Sequence, residues 1–189
     1  MKLRIFKTTK MDRSILIDAD VISHFISAGE IELFPKIFSN NTIFLLDKVY
    51  DELARFNKRK PIIDNMLSSG SLTILPFPDD QPEISKEYAY IKKSLFKGDG
   101  ESACMAVARY KDNIIASSNL KDISHYCNLH SIDYLTTMDF LCAALDKNLL
   151  SMNECDDFIS KVILKGSKLP VLKMKLYRCR NIDFLVHQH

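Results

Sequence analysis

The chain has 189 residues, 47% of them apolar, which suits one compact domain with at most a small C-terminal appendage. Its 26 basic and 24 acidic residues leave a net charge of +2, so bulk charge announces no nucleic-acid or membrane-surface partner. The five cysteines (Cys104, Cys127, Cys142, Cys155 and Cys179) are odd in number and scattered, with no CxxC pair and no zinc-ligand spacing; this argues against a disulfide framework and predicts reduced thiols in a cytoplasmic protein.

Residues 1–13 read as a basic, polar lead-in, and no apolar run of signal-peptide length follows. Ser14 to Asp18 (SILID) is a short apolar run closed by a carboxylate, the pattern of a buried strand and too short to cross a bilayer. Val21 to Ile26 and Ile31 to Phe38 have helical spacing, with Gly29 as the break between them. Thr42 to Leu46 is a second strand, and Asp47 is placed to cap a helix running through Val49, Leu53 and Phe56. A short helix is expected over 61–67 and a third strand over 72–75, closed by the turn PFPDDQP. Helices at 83–95 and 101–110 flank the turn Lys97-Gly98-Asp99-Gly100. A strand at 113–117, a helix at 120–127, a short strand at 132–135 and helices at 140–147 and 155–164 complete the chain. Short apolar strands alternating with helices predict an α/β fold in three layers, with a central parallel sheet of about five strands. No segment is long and apolar enough to suggest a membrane span.

In such sheets ligands gather beyond the carboxyl ends of the strands. Asp18 ends the first strand, Glu52 lies one turn into the helix after the second, Glu101 opens a helix after a Gly-rich turn, and Asp122 follows the fourth strand. Each taken alone has an ordinary reading. Asp18 is equally a helix cap. Glu52 is placed to pair with Arg55. Glu101 and Asp122 are first-turn acids that complement a helix dipole. Together they are carboxylates gathered at one sheet edge, where they repel one another unless a cation neutralises them. All-oxygen donors suit Mg²⁺ or Mn²⁺, which can activate water against a phosphodiester.

The order of these elements resembles a PIN domain. ILIDADVIS (15–23) resembles the family's opening strand, and VYDEL (49–53) the segment carrying its second acid. GDGESACMAVA (98–108) is similar to its Gly-Glu-x-x-Ala-x-x-x-Ala element. IIASSNLKDISHY (114–126) resembles its fourth-strand motif, and IDYLTTMDFL (132–141) its final strand and the helix beyond. The resemblance spans roughly residues 14–165 and leaves 166–189 as a basic extension. It implies a metal-dependent nuclease acting on RNA or single-stranded nucleic acid. Asp18, Glu101 and Asp122 would bind the metal, and Glu52 would bind through water or orient the nucleophile. Ser118 would bond a carboxylate or phosphate oxygen, and Asn119 would offer a neutral oxygen or orient a water. Two positions depart from the family pattern. Asp20 stands where Ser or Asn is common, which makes it either an added ligand or a supporting residue. SSNLKD replaces the adjacent Asp-Asp pair of many members.

Arg55, Lys58, Arg59 and Lys60 follow Glu52, Lys92, Lys93 and Lys97 precede Glu101, and Lys121 adjoins Asp122. Each group is compatible with phosphate-backbone contact or with a solvated helix end. From Lys161 to Arg180 seven cations occur without an acid. KLPVLKMKLYRCR alternates apolar and basic residues after Pro170, as expected of an exposed strand, a nucleic-acid arm, or a contact with a second copy or an inhibitor protein. Many stand-alone family members resemble toxins of toxin–antitoxin pairs, so an antitoxin-type partner and a homodimer are both compatible readings. His24, His125, His130, His187 and His189 have no ligand spacing and read as surface or packing residues. Two rival readings remain. One is a phosphatase resembling the haloacid-dehalogenase type, through the DAD at 18–20; it lacks that family's Gly-Thr after Asp20 and paired aspartates near residue 139. The other is a PIN-like scaffold that binds RNA or protein without cutting.

Overall fold

Runs of three or four residues rich in Ile and Leu supply the longer strands. Their side chains are apolar on both faces, as a sheet covered by helices on both sides requires. The computed structural model describes residues 13–95 and 97–186. Strands β1 (Ser14–Ile17), β2 (Ile43–Leu46), β3 (Thr73–Leu75), β4 (Asn113–Ala116) and β5 (Tyr134–Leu135) form one all-parallel sheet in the order β3-β2-β1-β4-β5. β1 is central, and Ile15, Leu16 and Ile17 are fully buried. This is the three-layer α/β architecture that the resemblance implied.

Helices α1 (Ala19–Ala28), α2 (Phe34–Ile37), α8 (Thr137–Asp146) and α9 (Met152–Leu164) pack together on one side. Their rings interlock: Phe25 meets Phe34, Phe140 and Phe158 edge-on at centroid distances of 5.2, 5.8 and 4.9 Å. Helices α3 (Asp47–Ala54), α4 (Lys60–Ser68), α5 (Pro82–Ser94), α6 (Asp99–Tyr110) and α7 (Leu120–His130) make the other layer. A short α10 (Asp183–Val186) closes the described chain, and no helix among the described residues is long and apolar enough to cross a membrane.

Several boundaries differ from expectation for local reasons. Asp47 is the first residue of α3 rather than its cap, and its second oxygen accepts the Phe77 N–H at 3.1 Å, tying α3 to the turn after β3. The helix expected from Phe140 starts at Thr137, because Thr136 and Asp139 form a reciprocal capping box. Ser151 and Glu154 do the same for α9, which starts at Met152 rather than Cys155. Residues 31–33 are a 3₁₀ turn leading into α2 rather than one continuous helix.

The basic C-terminal segment is not an exposed strand. Among the described residues it pairs with no strand, and its regular structure is a 3₁₀ turn, Met174–Leu176, and the short α10. Met174 is buried, and its N–H is accepted by Asp156 on α9 at 2.6 Å. Cys142 on α8 and Cys179 are joined in a disulfide, which corrects the expectation that all five thiols are reduced; Cys104, Cys127 and Cys155 are free and buried. A pair separated by 37 residues carries no spacing signal, and the fold alone brings it together. Arg180 then grips Asp139, and Ile182, Leu185 and Val186 enter the core. The lead-in up to residue 12, and His187 and His189, lie outside the described residues.

Candidate active site

The strand order turns back at β1. From it the chain steps to β2 and β3 on one side, then returns to β4 and β5 on the other. Chain segments therefore diverge at the carboxyl ends of β1 and β4, which opens a crevice. It has a volume of about 330 Å³ and is lined by Asp18, Asp20, Glu52, Lys97, Gly98, Glu101, Asn119 and Asp122.

Asp18 leaves β1 and caps α1, accepting the Ala19 N–H at 2.8 Å. The capping role and the cleft position coexist, so one does not exclude the other. Burial, and then the neighbouring Asp20 carboxylate, push its pKa well above the carboxylate range. Asp20 stands in the first turn of α1, where Oδ2 accepts the Ser118 N–H at 2.8 Å and the Ser117 hydroxyl at 3.4 Å. Its Oδ1 is buried and has no hydrogen-bond partner among the described residues. Burial also raises the Asp20 pKa, against the pull of those hydrogen bonds.

Glu52 reaches the cleft from α3, and its Oε1 accepts the Gly100 N–H at 2.9 Å. This close approach explains the glycine. A Cβ at Gly100 would stand 3.0 Å from both Glu52 Oε2 and Val49 Cγ2. Glu101 lies in the first turn of α6, where burial and then Asp122 push its pKa up to about 7. Asp122, in the first turn of α7, is bound by Lys97 and by the Asn119 side-chain amide; Lys97 above all draws its pKa down.

Ser118 supports the cleft from behind rather than facing it. Its backbone N–H serves the Asp20 carboxylate. Its hydroxyl donates to Thr137 Oγ1 at 2.7 Å and accepts the Thr137 N–H at 2.8 Å. Thr137 Oγ1 also meets His24 Nδ1 at 2.8 Å. His24 is buried, and burial lowers its pKa to about 4. Arg55, Lys58 and Arg59 do not line the cleft. Arg55 and Lys58 are exposed, and Arg59 lies over the Phe56 ring at 4.5 Å. Lys121 lines an adjacent cavity. The Lys97–Asp122 ion pair is the feature that sequence reasoning missed: Lys97 read as a phosphate contact or part of a solvated helix end.

Among the described residues no group of three or more His, Cys, Asp or Glu side chains is arranged to hold a metal ion as it stands. The donors are nonetheless those a hard divalent cation uses. They are all oxygens, one of them is a buried acceptor with no partner, and two of the carboxyls are raised by burial and mutual repulsion. The residues therefore fit Mg²⁺ or Mn²⁺ in kind. Lys97 already occupies one cation position beside Asp122.

No family model matches the chain, and no curated protein matches it. Two solved structures have a similar chain path. One is VapBC2 from Rickettsia felis bound to a DNA fragment from their promoter, with 15% identity, a TM-score of 0.49, and coverage of 65% of this chain and 97% of that chain. The other is VapBC-1 from nontypeable Haemophilus influenzae, with 13% identity, a TM-score of 0.46, and coverage of 65% and 97% respectively.

Proposed function

We propose that this chain is a nuclease that hydrolyses phosphodiester bonds of RNA or single-stranded nucleic acid, with Mg²⁺ or Mn²⁺ as cofactor. The observation that carries the reading is the buried, partnerless Oδ1 of Asp20 in a cleft that Asp18, Glu52, Glu101 and Asp122 also line. A structural carboxylate cluster gains nothing from such an arrangement, whereas a cation site requires it.

Asp18, Asp20, Glu101 and Asp122 would hold the cation, which would activate water and offset the charge that builds on the phosphate oxygens. Glu52, held through Oε1 by the Gly100 N–H, keeps Oε2 free to orient the attacking water. Asn119 supplies an amide between Glu101 and Asp122. Lys97 is placed to take a phosphate oxygen once Asp122 turns to the cation. Arg55, Lys58, Arg59 and Lys121 supply positive charge for the backbone outside the cleft. Residues 14–165 form the nuclease body and 166–189 its extension. We place the enzyme in the cytoplasm. A toxin role with an antitoxin-type partner extends the reading; growth arrest on expression, relieved by a co-expressed small protein, supports it.

The decisive experiment is cleavage of a mixed RNA pool with Mn²⁺, Mg²⁺ or EDTA, wild type beside Asp18→Asn. Cleavage with Mn²⁺, blocked by EDTA and reduced at least ~1,000-fold in the variant, is expected. Undiminished cleavage by the variant removes the assignment. The Lys97–Asp122 pair favours one second reading, a scaffold that neutralises its own acids and binds without cutting. That reading predicts neither cleavage nor Mn²⁺ binding.

A further inference from the structure

A second cavity, of about 400 Å³, adjoins the acidic cleft and is built partly from the C-terminal segment. Asn119 lines both spaces, so they share a wall at the start of α7. The second space differs in chemistry. Buried Met138, half-buried Leu169 and exposed Leu120 make its sides apolar, and the half-buried ring of Tyr177 contributes an aromatic surface. Lys121 and Lys168 stand at it as exposed cations, and Lys168 forms no ion pair among the described residues.

We propose that this cavity receives the base of a nucleotide flanking the cleaved phosphodiester bond, an inference that rests on the nuclease reading above. An acidic cleft repels a phosphate backbone, so productive binding needs cations close by, and Lys121 and Lys168 both line this apolar slot. The slot has the size of a small-ligand site. An apolar, aromatic-lined space beside cations matches a planar base attached to an anionic chain. Stacking on a tyrosine ring is strong for its size, and its strength differs modestly from base to base. The segment that carries Lys168, Leu169 and Tyr177 is anchored by the disulfide, by Arg180 on Asp139 and by Met174 on Asp156, so the wall is held in place before substrate arrives. The C-terminal segment is thereby a specificity element and not a loose arm.

The test measures binding without cleavage. Fluorescein-labelled single-stranded RNA decamers, one of mixed sequence and four homopolymers, are titrated with the full chain in EDTA and followed by anisotropy. Lys168→Glu and Tyr177→Ala are expected to weaken binding roughly tenfold and to flatten the ranking of the homopolymers. Tyr177→Phe, which keeps the ring, stays close to wild type. Lys36→Glu makes the same charge change on α2, beside the cavity at the amino ends of β2 and β3, and also stays close. Lys168→Glu alters an exposed side chain, so it decides the matter if Tyr177→Ala unfolds. Wild-type affinity in both Lys168→Glu and Tyr177→Ala overturns the proposal, as does an equal loss in Lys36→Glu or no RNA binding at all. Weakened binding in the two variants, with no Mn²⁺-dependent cleavage by wild type, upholds the base site and removes the nuclease reading. Cleavage with unchanged binding in the variants does the reverse.

Discussion

Two aspartate sites in this molecule are almost equally buried and opposite in character. Asp139, 1% exposed, accepts the Thr136 N–H at 2.7 Å, the Thr136 hydroxyl at 2.8 Å, and both Arg180 Nε and Nη2 at 2.8 Å. Asp18, 6% exposed, and its neighbour Asp20 have no cation paired with them among the described residues; Asp20 and Glu101 repel the Asp18 charge, and one Asp20 oxygen has no hydrogen-bond partner among those residues. The first arrangement closes a helix start and fastens the C-terminal segment, and it leaves neither carboxylate oxygen without a partner. The second costs stability in the absence of a cation and keeps acceptors in reserve. Satisfied charge marks structure here, and unsatisfied charge marks the candidate site.

Substitutions should separate the two regions by sign. Asp139→Ala removes the cap and strands Arg180, which is partly exposed and so partly rescued by water. A loss of about 3 kcal/mol is expected in urea unfolding, and a loss under ~1 kcal/mol breaks the contrast. Reduction of Cys142–Cys179 should cost about 2–3 kcal/mol through the freed loop, with Mn²⁺ affinity unchanged because no cleft residue lies in that segment; altered Mn²⁺ affinity would mean the regions are coupled. His24 stands between them, bonded to Thr137. Its folded pKa of about 4 lies below the unfolded 6.5, so the fold holds it neutral. Its contribution is complete above pH 6.5, declines as pH falls toward 4, and changes no further below. That amounts to about 3 kcal/mol across the window. His24→Gln should flatten this part of the stability–pH curve, and an unchanged slope removes the assignment. The smallest effect has the opposite sign. Asp18→Asn without divalent ions should raise stability by about 1 kcal/mol, read as a higher melting temperature.

Much of the site's outline was legible because it follows strand ends. SILID and the GDGE turn announce Asp18 and Glu101 by local pattern, and the topology delivers them to one crevice. The rest depends on contacts between distant residues. Nothing local says that Ser118 turns its hydroxyl to Thr137, or that Lys97 closes on Asp122 across 25 positions. The helix expected from Phe140 starts earlier, at Thr137, and only folding brings Arg180 to Asp139. The alternation after Pro170 looked like a strand, but its apolar members serve other ends: Met174 packs on α9 and Tyr177 lines the second cavity. An odd count of scattered cysteines hid the one pair that the fold joins.

If the cleft is a cation site as proposed, its unsatisfied carboxylates should take up a divalent ion. Calorimetric titration of the full chain with Mn²⁺, wild type beside Asp18→Asn, tests it most directly. Saturable binding by wild type, lost or greatly weakened in the variant, is the predicted result. No binding by wild type, or equal binding by both, would contradict the account.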